Sequence, residues 1–194
     1  MEVIVVSGNR NKFEEIRLVL REYRIKCVHR NLELVERGRC LEEIAKNKAT
    51  EAWKIIKKPL IVDDTGIFFV ACRNFPGVHA RRVYEEIGLA GLLDKLKGKG
   101  RDAYFKTVLV FTDGNIVRSF EGELKGVIAD KAAKISRKHF PYEAIFIPAG
   151  YKKPLSALSL KEKIAISHRA IAVRKFAQFY KTYEKSKLKE FCKR

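Results

Sequence analysis

The sequence predicts an α/β fold built on a mixed sheet, and three observations carry that prediction. Apolar, β-branched runs alternate with amphipathic helical stretches along the N-terminal half. An Asp113-Gly114 pair lies between two strand-like runs and marks a hairpin. A late apolar run, "EAIFIPAG", precedes a final long helix. Crossover helices call for parallel strands and a hairpin for antiparallel ones, so the sheet is mixed.

The elements follow in order. Val3–Val6 is an uninterrupted apolar run, the pattern of a strand covered on both faces. Asn11–Tyr23 is helical, with Phe13, Ile16, Val19 and Leu20 on one side. "IKCVHRNLELV" reads as a second strand leading into a loop. Leu41–Lys57 is the clearest helix, striped by Leu41, Ile44, Ala45, Ala49, Ala52, Trp53 and Ile56 and stopped by Pro59. "LIVDDTGIFFVA" reads as strand, turn, strand, with Asp63-Asp64 ending the first strand. "RNFPGVHARRV" is a loop with a Pro76-Gly77 turn. Tyr84–Leu96 is helical with a break near Gly88. The hairpin fills "AYFKTVLVFTDGNIVRSFEGELKGVIA". Lys161–Tyr180 forms one last helix, capped by Ser159 with Glu162 three residues on.

A chain of 194 residues can bury a core as one domain, in one lobe or two. No apolar run approaches the roughly 20 residues that span a bilayer. The N-terminus enters a strand directly, without the zones of a signal peptide, so a cytoplasmic location is expected. Cys27, Cys40, Cys72 and Cys192 are scattered, which excludes a clustered zinc site and predicts free thiols. The net charge of +18 points to a polyanionic partner, either nucleic acid or phosphorylated small molecules. From Tyr151 onward 13 basic residues stand against 3 acidic ones, a net +10 of the +18, and the stretch ends in a basic tail over 182–194.

Three short stretches could carry chemistry. "SGNRNK" joins a strand to a helix through a glycine-containing turn, a geometry that aims main-chain N–H groups at an anion and adds the Lys12 charge. The Walker A spacing is absent. Asp63-Asp64-Thr65-Gly66 is either an Asx-turn or a carboxylate pair suited to magnesium. Successive strand residues face opposite ways, so both carboxylates share a cleft only if the strand ends there. "ISHR", Ile166–Arg169, offers donors to a heterocycle; adjacent helical residues do not face each other, which argues against a Ser–His nucleophile. Together, an anion-binding turn, a metal carboxylate and a row of donors describe a nucleotide site.

In this order, "VSGNRNKFEEI", "LEEIAKNKATEA", "IVDDTGIFFVA", "NFPGVHARR", "AYFKTV", "FEGELKG", "IFIPAGY" and "LKEKIAISHRAIAVRKF" resemble the inosine triphosphate pyrophosphatase family. The resemblance covers nearly the whole chain, 1–194, short of the basic C-terminal tail. It implies a single two-lobed domain, in which a long central mixed β-sheet separates two α/β lobes with the active-site cleft between them. It implies hydrolysis of inosine, deoxyinosine and xanthosine triphosphates to the monophosphate and pyrophosphate, with Mg2+ as cofactor and a homodimer as the usual assembly.

The resemblance also assigns residues. Ser7, Gly8, Asn9 and Lys12 match the triphosphate turn, and Lys48 the second phosphate-binding lysine. Asp64 matches the metal-binding, water-activating aspartate. Asp63 stands where the family has glutamate, and Thr65 follows in the same motif. Glu36, then Glu33, is the candidate for a further metal carboxylate. Lys163, Ser167, His168 and Arg169 match the purine-contacting set. Phe140-Pro141-Tyr142-Glu143-Ala144 occupies the base-recognition stretch, where Phe140 or Tyr142 would stack on a purine and Glu143 replaces an aspartate. Two other readings compete: a hydrolase for another modified nucleotide, and a basic nucleic-acid-binding protein on the same scaffold. The second rests on the charge and on Phe176, Phe179, Tyr180 and Tyr183 among basic residues.

Overall fold

The computed structural model describes residues 2–134 and 140–191. Its strands are β1 (Glu2–Val6), β2 (Lys26–Arg30), β3 (Leu60–Phe69), β4 (Phe75–Gly77), β5 (Asp102–Thr112), β6 (Val117–Ile128) and β7 (Phe146–Pro148). Its helices are α1 (Arg10–Glu22), α2 (Leu41–Ile56), α3 (Ala80–Asp94), α4 (Leu160–Ile166) and α5 (His168–Phe191). The strands form one seven-stranded sheet in the order β2-β1-β3-β5-β6-β7, with β4 pairing β3. The sheet is mixed: β1 runs parallel to β2 and β3, whereas β3/β4 and β6/β7 are antiparallel. The expected α/β class and mixed sheet are therefore found. Among the described residues no helix is long and apolar enough to cross a membrane.

The chain forms two compact units. The first holds residues 1–64, 108–121 and 169–194. Here β1 is the apolar strand that its composition predicts, with Val3 to Val6 all buried. Ile16, Val19 and Leu20 give α1 its inward face, and Leu41, Ile44, Ala45, Ala49 and Ala52 give α2 its own. Lys57 closes α2 in the left-handed conformation just before Pro59. Phe111 meets Phe176, Phe179, Tyr180 and Tyr183 of α5 at ring separations of 5.3–5.7 Å. Of these α5 aromatics Phe176 and Tyr180 are fully buried core, and Phe179 and Tyr183 are partly buried against Phe111.

The second unit holds residues 65–107 and 122–168. Its core gathers Ile67, Phe69, Phe105, Tyr142, Ile145 and Phe146 with the apolar side of α3. The break in α3 falls at Gly88, whose φ of 61° and ψ of −173° lie outside the helical region. Glycine alone adopts that geometry without strain.

Three expectations from the sequence need correction. Residues 60–69 are one continuous strand, with no turn at Thr65-Gly66. Gly66 is there because β4 approaches closely: a Cβ would lie 2.7 Å from the Gly77 carbonyl oxygen. Pro76-Gly77 belongs to β4 rather than to a loop. The last helix is two helices, because Ser167 adopts an extended conformation between α4 and α5. The Ser159–Glu162 capping box is present in full. Cys27, Cys40 and Cys72 are free thiols; Cys192 and the last residues of the basic tail lie outside the described residues.

Candidate active site

The continuity of β3 decides what its two aspartates do. Successive side chains of a strand face opposite sides, so Asp63 and Asp64 diverge, and each meets a different lysine within the first unit.

Asp63 is the hub of a buried ionic cluster. Its Oδ2 lies 3.0 Å from Lys12 Nζ and 3.3 Å from Arg169 Nε. Arg169 also bonds Glu15 through Nη1, and all of these groups except Lys12 are buried. Burial would raise the Asp63 carboxyl, but Lys12, Arg169 and Lys48 outweigh it and hold the group far below the carboxylate range. Asp63, expected as a metal ligand, has its carboxylate engaged by two cations here. Arg169, expected to contact a purine, instead joins Asp63 to Glu15. Glu15 was missed by sequence reasoning, although a signal existed. It lies four residues before Val19, on the apolar side of α1, where a carboxylate needs a buried partner.

Asp64 faces the other cluster. Lys48 Nζ, on α2, lies 3.2 Å from Asp64 Oδ1, 3.1 Å from Glu36 Oε1 and 3.2 Å from the Asp63 main-chain oxygen. Burial raises the Asp64 carboxyl more than Lys48 and Lys12 lower it, and Glu36 and Asp63 add to the rise. Burial alone would lower Lys48, but Asp64, Glu36 and Asp63 more than offset it and leave the ammonium above its ordinary value. The outcome is a charged lysine beside an unusually basic carboxylate.

The turn before α1 is partly self-capped. Asn9 Oδ1 accepts from the Asn11 and Lys12 N–H groups at 2.9 and 3.4 Å, and the Asn9 N–H donates to Ser7 Oγ at 3.2 Å. An incoming phosphate would use the Gly8 and Arg10 N–H groups and the Lys12 ammonium, or displace the Asn9 cap. His29 Nε2 donates to the Ser7 carbonyl at 2.7 Å while its ring stacks on Phe13. A carbonyl only accepts, so the proton sits on Nε2.

The donor set fits a divalent ion that arrives with phosphate. Among the described residues no three His, Cys, Asp or Glu side chains gather as a complete cage. Asp64 and Glu36 do converge on one ammonium, and Mg2+ is ordinarily held by one or two carboxylates with phosphate oxygens and water completing the shell.

The second unit assembles most of the predicted base-contacting residues. Lys163 Nζ donates to Glu143 Oε1 at 2.7 Å, with both side chains buried. The His168 ring stacks on Phe105 at 4.7 Å, and Phe140 lies 6.3 Å from the same ring. Ser167, at the break between α4 and α5, is buried. Thr65 Oγ1 pairs with Thr107 Oγ1 at 2.7 Å. Tyr142 is not a stacking residue: it is fully buried and its hydroxyl donates to the Ala80 carbonyl at 2.8 Å. Phe140, half-buried, keeps that possibility. Tyr142→Phe leaves the Ala80 carbonyl without this donor, so it should lower unfolding free energy by about 1–2 kcal/mol in denaturant melts.

A mixed α/β sheet that carries two lysines and a buried carboxylate beside a strand–turn–helix unit suits a phosphate-handling protein. The Ham1 family model matches residues 3–179, and the chain belongs to the Ham1 family. A dITP/XTP pyrophosphatase of Saccharolobus solfataricus is 41% identical over 185 residues, spanning 94% of this chain and 95% of the relative. The structure of the Staphylococcus aureus Ham1 protein superposes with a TM-score of 0.79 at 25% identity, over 94% of this chain and 100% of that one. A nucleoside-triphosphatase, or dITP/XTP pyrophosphatase, from Mycobacterium abscessus gives a TM-score of 0.68 at 30% identity, over 91% and 98%.

Proposed function

We propose that the chain is a nucleoside triphosphate pyrophosphohydrolase that converts dITP, ITP and XTP to the monophosphate and pyrophosphate. The observation that carries this reading is the convergence of Lys48, Glu36 and the basic carboxylate of Asp64 in the unit that also holds Lys12. Family membership and the dITP/XTP pyrophosphatase relatives support it.

The chemistry follows from the side chains. Lys12 and the turn at Ser7, Gly8 and Asn9 bind the phosphate chain. Lys48 neutralises charge that develops on the departing pyrophosphate. Asp64 accepts the proton of the attacking water, and its raised proton affinity makes it a better base than an exposed aspartate. A Mg2+ ion held by Asp64 and Glu36 would supply Lewis-acid polarisation of the phosphoryl oxygens. Asp63 acts indirectly, by fixing Lys12. Phe140, Glu143, Lys163, Ser167 and His168 read the base. Hydrogen-bond donors suit a 6-oxo group, whereas the 6-amino group of adenine would offer them no acceptor. The enzyme works in the cytoplasm as a homodimer, as the family resemblance implies.

A panel of nucleoside triphosphates tests the specificity. dITP, ITP and XTP should be turned over with kcat/KM exceeding that for ATP by about 10³ or more. Equal turnover of ATP, or preference for a modified pyrimidine, would overturn the base assignment while leaving the phosphate chemistry intact.

A further inference from the structure

We propose that the C-terminal end of α1 and the adjoining face of α5 form a docking surface for the phosphate backbone of double-stranded nucleic acid. Both elements belong to the first unit. Lys181 Nζ sits 5.1 Å from the centre of the Tyr23 ring, and Arg174 reaches Glu22 at 3.7 Å, which brings the two elements together. Arg21 and Arg24 project from the α1 end, and Lys181 and Lys185 from α5; all four are exposed.

Position sets these cations apart. Arg174, Gln178, Lys181 and Lys185 follow one another at spacings of four, three and four, a stripe along one side of α5. The stripe is about 16 Å long, roughly half of one turn of a duplex. Among the described residues none of Arg21, Arg24, Lys181 and Lys185 is paired with a carboxylate. The surface of α3 differs: Arg81 and Arg82 are each neutralised by a glutamate four residues on. Glu22 lies within the patch, and Arg174 offsets it. The macrodipole of α1 accounts for only part of the cluster, because a helix C-terminus carries about half a negative charge.

This surface is separate from the phosphate cluster. Lys12 lies in the first turn of α1 and the patch begins at its last turn, about 14 Å further along the axis. The ligand implied is a regular array of phosphates, since the exposed donors Arg21, Arg24, Lys181 and Lys185 are full cations and Phe176 and Tyr180 of α5 are buried in the core. Recognition is therefore of backbone, with affinity governed by counterion release.

The test uses the full chain and a random-sequence 20-base-pair DNA duplex, with the equivalent RNA duplex as a second arm. The quadruple variant R21E/R24E/K181E/K185E is compared with K99E/K125E/K131E/K152E, which removes as much charge from exposed sites of the second unit. Circular dichroism and triphosphate hydrolysis, unchanged from the parent in both, establish that each variant is folded. At 100 mM salt the first variant should bind at least about fivefold more weakly than the second, with a shallower dependence on salt concentration. A smaller difference, or a parent protein that binds neither duplex at 50 mM salt, would overturn the proposal.

Discussion

Asp64→Asn is expected to lower kcat for the triphosphate by about 10³-fold or more while leaving the protein at least as stable as the parent. The loss of rate follows from the proposed role of Asp64 as the base that takes the water's proton, and from removing one of the two carboxylates available to a divalent ion. The stability result is the more discriminating half. Burial raises the Asp64 carboxyl, so the folded state holds its proton more tightly than the unfolded chain does. Folded protein therefore binds more protons between the ordinary carboxyl value and the raised one, and stability falls as pH rises through that window. At neutral pH the ionised Asp64 is a standing cost that asparagine removes. Lys48 is not left bare, because Glu36 and the Asp63 main-chain oxygen remain at 3.1 and 3.2 Å. Thermal melts near neutral pH should show an equal or higher midpoint for the variant. A midpoint several degrees lower would mean that Asp64 is a structural group.

Asp63→Ala should do the opposite and lower unfolding free energy by about 3–5 kcal/mol, the usual result of removing one partner from a buried ionic cluster. Its loss leaves Arg169 facing Glu15 alone and Lys12 without its anchor. The pH dependence has the reverse sign from that of Asp64. Lys12, Arg169 and Lys48 overcome burial and depress the Asp63 carboxyl, so its contribution is complete above the unfolded value of about 3.9 and is lost as pH falls toward the lower folded value. Parent protein should lose stability on acidification over that range, and Asp63→Ala should lose less. Denaturant melts from pH 6 downward measure both. A variant as stable as the parent at pH 7 would show that the cluster contributes nothing net.

The opposite behaviour of two adjacent aspartates explains which part of the site was legible in the sequence. Alternation along a strand forces the pair apart, and the sequence leaves open only whether the strand continues. Thr65-Gly66 reads as a turn because glycine punctuates chains. Here glycine serves the close approach of β4, a tertiary cause invisible along the chain. The same limit applies to Ser167. No glycine or proline marks the break between α4 and α5, and apolar positions continue across it. Apolar patterning locates β1 and the inward faces of the first two helices, the Asp113-Gly114 pair locates the hairpin and Gly88 the α3 break, since each has a local cause. Lys12, Lys48, Glu36 and Asp64 are expected from a resemblance in short motifs, and the fold sets Lys12 on Asp63 and Lys48 on Glu36 and Asp64. Burial directs the polar atoms of Arg169 and Tyr142 to Asp63, Glu15 and the Ala80 carbonyl, none of which lies near in sequence.

The most direct test of the central claim is the identity of the products formed from inosine triphosphate and Mg2+ by the purified chain. Hydrolysis at the α-phosphate should yield inosine monophosphate and pyrophosphate in equal amounts from the first turnover. Inosine diphosphate with orthophosphate would contradict it.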